Sequence, residues 1–233
     1  MKLKDFKGIT KTHETKFISA ENVYGDYYEI RLEKPEGLKW DSGKHAIFSL
    51  PNNKIEGKKW RAFSIASTPK ENVILLGTRT GESISSFKKE LVNMNAGEAV
   101  KVRGPFGWFT LKDNITPLVL ISLGVGVTPV RSLLIKLEHQ HDREVNVIYS
   151  SSDFYMFKER IEKVINHNHS FKIEYTKSIE DTKQAINNQA KNYGNNAQYY
   201  ISGPIKAIKS VQSQLKELGI KQDRIVKDPF LGY

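Results

Sequence analysis

The chain predicts two units of different class: an antiparallel β-barrel or sandwich over residues 1–114, then a parallel, doubly wound α/β sheet over residues 115–233. Two observations carry this. The first stretch reads as short strands broken at close intervals by Gly, Pro, Asn and Asp turns, the pattern of all-β units. The second alternates apolar strands with amphipathic helices, the pattern of a sheet covered on both faces. The change of pattern falls near Asn114 to Pro117.

In the first stretch Ala46–Leu50, Val73–Thr78 and Ala99–Val102 are strand-like, bounded by Asp41-Ser42-Gly43, Pro51-Asn52-Asn53, Thr80-Gly81 and Gly104-Pro105. A single helix is expected from about Ser86 to Asn93. In the second stretch Leu118–Ser122 is an apolar strand, and Val130, Leu133, Leu134 and Leu137 then form one helical stripe. Val145–Ser150 is the next strand, followed by a helix aligning Phe154, Phe157, Ile161 and Val164. Phe171–Thr176 is a strand and Asp181–Lys191 a helix. After the strand Tyr199–Ser202, the residues Ile205, Ile208, Val211, Leu215 and Leu218 mark a helix that Gly219 ends. Arg224–Lys227 closes the series as a strand.

Composition narrows the function. A 39% hydrophobic and 10% aromatic content supports a packed core. No apolar run approaches the ~20 residues of a bilayer span, and Met1 to Asp5 lacks an apolar signal core, so the expected location is cytoplasmic. The chain has no cysteine, which removes disulfides, thiolate-held iron–sulfur clusters and cysteine nucleophiles. Redox chemistry would then need a bound organic cofactor or a non-thiolate metal site. His139-Gln140-His141 and His167-Asn168-His169 read as solvated helix ends, so no metal site is assigned. The net charge of +10 admits nucleic acid, an acidic protein partner or a solubilising surface. Residues 1–113 hold 20 basic and 14 acidic side chains and residues 114–233 hold 16 and 12, with no Lys/Arg run longer than two. That even spread lacks a nucleic-acid signature, and no nucleic-acid partner is expected.

Two strings carry candidate chemistry. The strand Leu118–Ser122 runs into Gly124-Val125-Gly126-Val127-Thr128-Pro129 and a helix. Glycines there let the backbone approach a pyrophosphate, and the helix N-terminus favours the negative charge. Thr128 is placed as N-cap with Pro129 at the first helical position. An ordinary Gly-rich strand-to-helix turn is the competing reading. The acidic residue usual at the end of the second strand is not evident: that strand ends in Ser150-Ser151-Ser152, with Asp153 just beyond, and the serines suit either a ribose hydroxyl or a 2′-phosphate. Lys177 suits a 2′-phosphate, which favours NADPH over NADH, although a solvated lysine explains it as well. In the first stretch Arg61-Ala62-Phe63-Ser64 alternates so that Arg61 and Phe63 share one face. An arginine fork suits a diphosphate, an aromatic suits a planar ring and a small hydroxyl suits a ring nitrogen. A half-buried strand with a surface arginine fits the same string. Gly81-Glu82-Ser83-Ile84-Ser85-Ser86-Phe87 leads into the short helix. With Ser85 as N-cap the N3 residue is Lys88, which leaves the helix start open to an external anion.

Together the strings resemble the ferredoxin–NADP reductase superfamily over nearly the whole length. Arg61-Ala62-Phe63-Ser64 is similar to its Arg-x-Tyr-Ser/Thr motif with Phe for Tyr. Gly81 to Ser86 is similar to its Gly-x-x-Ser region, with one extra residue. Val102-Arg103-Gly104-Pro105-Phe106-Gly107 is similar to its Gly-Pro-x-Gly turn, and Leu123 to Pro129 to its nucleotide loop, with Leu123 for a frequent first glycine. Tyr200-Ile201-Ser202-Gly203-Pro204 is similar to its Cys-Gly-Pro string, with Ser202 in the cysteine position. Asp228-Pro229-Phe230 is similar to its Glu-x-Phe ending.

The resemblance implies an FAD-binding antiparallel Greek-key barrel followed by a Rossmann-like NAD(P)H-binding unit. It implies Arg61 on the flavin pyrophosphate, Phe63 against the ring, Ser64 near flavin N5, Ala62 among the FAD-binding residues, and Gly81, Ser85 and Ser86 at the phosphates. It implies Gly124, Val125, Gly126, Thr128, Pro129, Ser151, Lys177, Gly203 and Pro204 on NAD(P)H. Ser64, Ser202 and Asp228 would attend hydride transfer where nicotinamide meets flavin across a domain cleft, and Phe230 or Tyr233 would cover the ring. The implied function is an FAD-dependent NAD(P)H oxidoreductase that passes electrons to an acidic one-electron carrier such as ferredoxin or flavodoxin. The alternatives are a free-flavin or ferric-chelate reductase and a non-catalytic basic binding protein.

Overall fold

A computed structural model describes residues 8–81 and 83–229, and every structural statement below concerns those residues. The expected Phe230 and Tyr233 contacts lie outside them. The chain divides between Thr110 and Leu111 into two compact units.

The first unit is an antiparallel sheet of β1 (Thr12–Tyr24), β2 (Tyr27–Glu33), β3 (His45–Ser49), β4 (Trp60–Ser64), β5 (Val73–Arg79) and β6 (Ala99–Phe106), in the order β4-β3-β6-β1-β2-β5. Its two ends meet just beyond β4, where the Ala66 N–H donates to the Leu75 carbonyl at 2.8 Å. That bond closes the sheet toward a barrel, and the non-sequential strand order is the Greek-key connection that the resemblance implied. The core fills with the inward residues of alternating strands, among them Phe17, Ile30, Leu32, Phe48, Val100 and Val102. The short helix α1 (Ser86–Val92) buries Phe87 and Leu91 against the same core. Full burial of such a side chain stabilises by about 1.5–3 kcal/mol.

The long hairpin β1–β2 is absent from the sequence expectation. The strand β1 alternates exposed and half-buried positions and buries only Thr15 and Phe17, so it carries little apolar signal. Its turn falls at Gly25, where φ is +50°.

The second unit is a five-stranded parallel sheet, order β11-β10-β7-β8-β9, built from β7 (Leu118–Leu123), β8 (Val145–Ser150), β9 (Phe171–Thr176), β10 (Gln198–Gly203) and β11 (Ile225–Pro229). Helices α2 (Val127–Leu137), α3 (Lys158–His167), α4 (Ile179–Tyr193) and α5 (Ile205–Glu217) connect the strands. From β7 the chain moves outward through β8 and β9, then returns to the other side of β7 with β10 and β11. The direction of winding therefore switches between β7 and β10. The crevice outside the carboxyl ends of an open sheet at such a switch is where ligands bind in this architecture.

Three expectations about helix limits are corrected. Thr128 is not the N-cap: a 3₁₀ turn over Gly124–Gly126 precedes α2, the helix begins at Val127, and the Thr128 hydroxyl donates to the Val125 carbonyl at 3.1 Å. Pro129 therefore sits at the third helical position, two later than expected, still where no N–H is required. Phe154 lies outside α3, because Phe157 takes a left-handed conformation (φ +61°) just before that helix starts. At α5 the stripe residues Ile208, Val211 and Leu215 are buried, while Ile205 and Leu218 at its ends stay exposed.

Candidate functional site

In the first unit β4 and α1 bring two of the predicted strings together. Arg61 and Phe63 share the face of β4 that meets α1. The Arg61 guanidinium lies 5.8 Å over the Phe87 ring, and the Phe63 ring is 6.4 Å from the same ring and 5.8 Å from Phe48. Arg61 Nη1 donates to the carbonyls of Lys58 and Trp60 at 2.9 and 3.0 Å, which anchors the fork from behind. Ala62 lies half-buried on the opposite face of the strand, in register with Ile47.

At the start of α1 the Ser85 hydroxyl accepts the Lys88 N–H at 3.4 Å, the cap that the sequence suggested. The Ser86 hydroxyl accepts the Glu56 N–H at 3.0 Å. Gly81 donates its N–H to Asp26 Oδ2 at 2.8 Å, so that amide is held by the protein. Asp26 also pairs with Arg79 at 2.9 Å. Lys88, buried beneath this turn, donates to the Arg79 carbonyl at 2.5 Å. Burial pushes its ammonium down to about 8, the neighbouring Arg61 acts in the same direction, and Asp26 opposes both. Two cations crowded at one strand–helix junction make a place that a bound diphosphate would relieve.

Ser64 ends β4 and is buried directly opposite His45 in the register. His45, which the sequence reading missed, is 8% exposed and meets the Phe106 ring edge-on at 4.6 Å and Trp108 at 6.2 Å. Burial, reinforced by Lys44, pushes its imidazole down to about 4, so it is neutral at physiological pH. Gly107 makes room for this ring. A Cβ there would meet His45 Cε1 at 2.4 Å, and φ at Gly107 is +111°. The one signal in the sequence was the position of Gly107 in the Gly-Pro-x-Gly turn, which gave no hint of its contact.

In the second unit the carboxyl ends of three neighbouring strands set Ser122, Ser202 and Asp228 in one row. Ser202 is in register with Ser122 on one side and with Asp228 on the other, so the three side chains face the same side of the sheet. All three are buried. The hydroxyls of Ser122 and Ser202 have no hydrogen-bond partner. A buried hydroxyl left unpaired costs about 1–3 kcal/mol, so each calls for a partner from outside the chain, a water or a polar ligand. Ser122 was not predicted, because a serine closing an apolar strand carries no motif of its own.

The loop after β7 is pressed onto this row. A Cβ on Gly126 would stand 2.1 Å from the Ser202 carbonyl oxygen, so only glycine permits the approach. Gly203 and Pro204 follow directly from β10, and Pro204 precedes α5. Val125 is buried in the turn. Ser151 and Lys177 lie farther along the sheet, just beyond β8 and β9; Ser151 is buried and Lys177 exposed. Within this unit the predicted residues thus line up along the carboxyl edge from Asp228 to Lys177. That edge spans four strand spacings, roughly 19 Å.

Both absent groups pass a test of fit on these observations. The Arg61–Lys88 cation pair and the half-buried Phe63 ring suit a flavin dinucleotide, and the two orphaned hydroxyls beside a glycine loop at the switch point suit a nicotinamide nucleotide.

Comparison with known proteins gives the same architecture. No family model matches. A flavohemoprotein of Bacillus thuringiensis is 26% identical over 250 residues, covering 95% of this chain and 60% of the relative. A component of the Na(+)-translocating NADH-quinone reductase of Pseudoalteromonas atlantica is 24% identical over 228 residues, 86% of this chain and 56% of the relative. The chain therefore spans a little over half the length of these relatives. Among solved structures, a ferredoxin NADP+ reductase from Neisseria gonorrhoeae with bound FAD and NADP superposes with a TM-score of 0.79 at 18% identity, covering 94% of this chain and 98% of the other. A flavohemoglobin from Malassezia yamatoensis with bound FAD and heme gives 0.78 at 21% identity, covering 94% and 60%. At such identities the likeness establishes the fold alone: an antiparallel barrel and a parallel α/β sheet like those of the ferredoxin NADP+ reductase and the flavohemoglobin.

Proposed function

We propose that the chain is an FAD-dependent NAD(P)H oxidoreductase. The observation that carries this reading is the buried row Ser122–Ser202–Asp228, with two unpartnered hydroxyls, under a glycine loop at the switch point of the parallel sheet. The relatives named as flavohemoprotein and NADH-quinone reductase, and the solved reductase carrying FAD and NADP, support it.

In this reading the Arg61 fork and Lys88 hold the flavin diphosphate, the Ser85 turn borders it, and Phe63 offers an apolar ring face. Ser64 and the neutral His45 lie at the other end of β4 and present no charge to the flavin. Glycine backbone at 124–126 and the start of α2 take the nucleotide pyrophosphate. The Ser202 and Ser122 hydroxyls, each able to donate and accept, orient the carboxamide of the nicotinamide. Asp228 closes the row with a buried acceptor. When bound, the flavin supplies two-electron acceptance from the nicotinamide and one-electron release. The protein contributes position and exclusion of water.

The downstream acceptor that we propose is an acidic one-electron carrier of the ferredoxin or flavodoxin kind, favoured by the +10 charge. The test compares turnover of the FAD-loaded protein with ferredoxin, flavodoxin, free FMN and ferric citrate. Faster reduction of a protein carrier than of FMN or ferric citrate is expected. Equal or faster reduction of the small acceptors would replace this reading with that of a free-flavin or ferric-chelate reductase. Absence of any thermal stabilisation by FAD would refute both and leave the binding-protein reading.

A further inference from the structure

Three tyrosines meet where β8 leads into α3. Tyr149 in β8 and Tyr175 in β9 are in register on neighbouring strands, and Tyr155, in the segment before α3, packs against both. The Tyr155 and Tyr175 rings are the closest pair, with centroids 4.7 Å apart and planes inclined at 65°. Tyr149 lies 5.0 Å from Tyr155 and 6.0 Å from Tyr175. At such separations ring edges are in van der Waals contact.

The closest pair is also held in place. Tyr155 donates its hydroxyl to the carbonyl of Thr176, the residue after Tyr175, at 3.1 Å. Tyr149 donates to the carbonyl of Met156, the residue after Tyr155, at 3.3 Å. Tyr149 is fully buried, whereas Tyr155 and Tyr175 are half-buried. The Tyr175 hydroxyl has no hydrogen-bond partner, and burial together with the nearby Glu162 carboxylate pushes its phenol up. A base thus stands beside the Tyr175 proton. Lys158 lies 5.0 Å over the Tyr175 ring and pairs with Glu162 at 3.7 Å.

The chain has no cysteine and three methionines. The thiolate that oxidants attack first is missing, so oxidising equivalents fall on methionine sulfur and on phenol and indole rings. We infer that Tyr155 and Tyr175 are an oxidation site, where a one-electron oxidant made from peroxide joins the two rings covalently. Each phenol gives one electron to the oxidant and its proton to a base, Tyr175 to Glu162 and Tyr155 to water. The two phenoxyl radicals pair their electrons in a carbon–carbon bond between ring positions ortho to the oxygens. The hydrogens on those carbons then move to the oxygens, which restores both phenols. The pair loses two hydrogen atoms in all, and one hydrogen peroxide is reduced to two waters. The bond ties the segment after β8 to β9, the edge strand of the sheet. Contact within one chain gives this pair an advantage that exposed tyrosines of separate molecules, such as Tyr24, lack. The inference stands apart from the flavin and nucleotide readings.

The test treats the dilute, folded protein with hydrogen peroxide and a haem peroxidase, isolates the monomer and maps its tryptic peptides by mass spectrometry. The main dityrosine is expected to link peptides 144–158 and 173–177 through Tyr155 and Tyr175, lighter than their sum by two hydrogen atoms. Tyr155→Phe and Tyr175→Phe, which keep the rings, are each expected to lower dityrosine in the monomer roughly tenfold or more, while Tyr24→Phe leaves it within about twofold. Unfolding in urea before oxidation is expected to remove the preference for this pair. Dityrosine that forms only between molecules, or within the monomer at other positions, would overturn the inference. So would an undiminished yield in Tyr155→Phe or Tyr175→Phe, the same link at equal yield in the unfolded chain, or oxidation of methionine and tryptophan with no dityrosine at all.

Discussion

Between pH 6.5 and 4 an imidazole in water takes up a proton, but His45 in the fold stays neutral until about pH 4, because burial and Lys44 oppose its charge. The unfolded chain binds the extra proton, so stability is full above pH 6.5 and is lost as the pH falls toward 4. At about 1.4 kcal/mol per pH unit, the loss attributable to His45 is roughly 3 kcal/mol. Urea unfolding at pH 7, 5 and 4 is expected to show a shallower pH dependence in His45→Phe than in the unaltered protein, and equal slopes would contradict this. The unpartnered hydroxyl of Ser202 gives a prediction of opposite signs for stability and activity. Ser202→Ala removes a buried, unsatisfied group, so the melting temperature is expected to hold or rise, by up to about 1 kcal/mol in stability. Flavin reduction by the nucleotide is expected to slow at least tenfold, about 1.4 kcal/mol in barrier. A melting temperature that falls by several degrees would mean that the hydroxyl has a structural partner in the protein. Neither residue's environment was legible in the sequence: the isolation of Ser122 and Ser202 follows from register between strands some eighty residues apart in the chain.

The strand-to-helix turn after β7 is the element on which the nucleotide reading depends. Gly126→Ala places a Cβ 2.1 Å from the Ser202 carbonyl oxygen, and neither backbone has slack to absorb it. The expected cost is about 1–3 kcal/mol of stability, together with loss of nucleotide binding while flavin binding persists. Thermal denaturation and calorimetry with and without nucleotide measure both. Retained nucleotide affinity would exclude this loop from the site. Elements of the second unit were legible because each strand is a short apolar run and each helix a 3.6-residue stripe. The α5 residues Ile208, Val211 and Leu215 are buried as that stripe requires. The start of α2 was misplaced because Thr and Pro mark a cap statistically, whereas Gly126 and Val127 just before them already have right-handed helical dihedrals. The β1–β2 hairpin escaped because its pairing with β5 and β6, not its own apolar content, makes it a strand.

At the scale of the molecule the excess of ten positive charges is spread over both units and concentrates in no single run. Such a field steers an acidic partner, so kcat/KM with ferredoxin or flavodoxin is expected to fall roughly tenfold or more between about 20 mM and about 500 mM salt. Turnover with a neutral small acceptor is expected to stay flat over the same range, and a flat response with the protein carrier would remove the argument for an acidic partner. Among the described residues no helix is long and apolar enough to cross a membrane. The order of the strings along the chain made both units and their fold class readable, since flavin-like and nucleotide-like motifs fell in stretches of different pattern. What separates the oxidoreductase from a binding protein of the same fold is whether electrons pass from nicotinamide to flavin. The most direct measurement is an anaerobic absorbance titration of the FAD-supplemented protein with NADH and, separately, NADPH. Bleaching of the flavin bands by one equivalent of either nucleotide is the predicted result. A bound flavin that neither nucleotide reduces would contradict the proposed function.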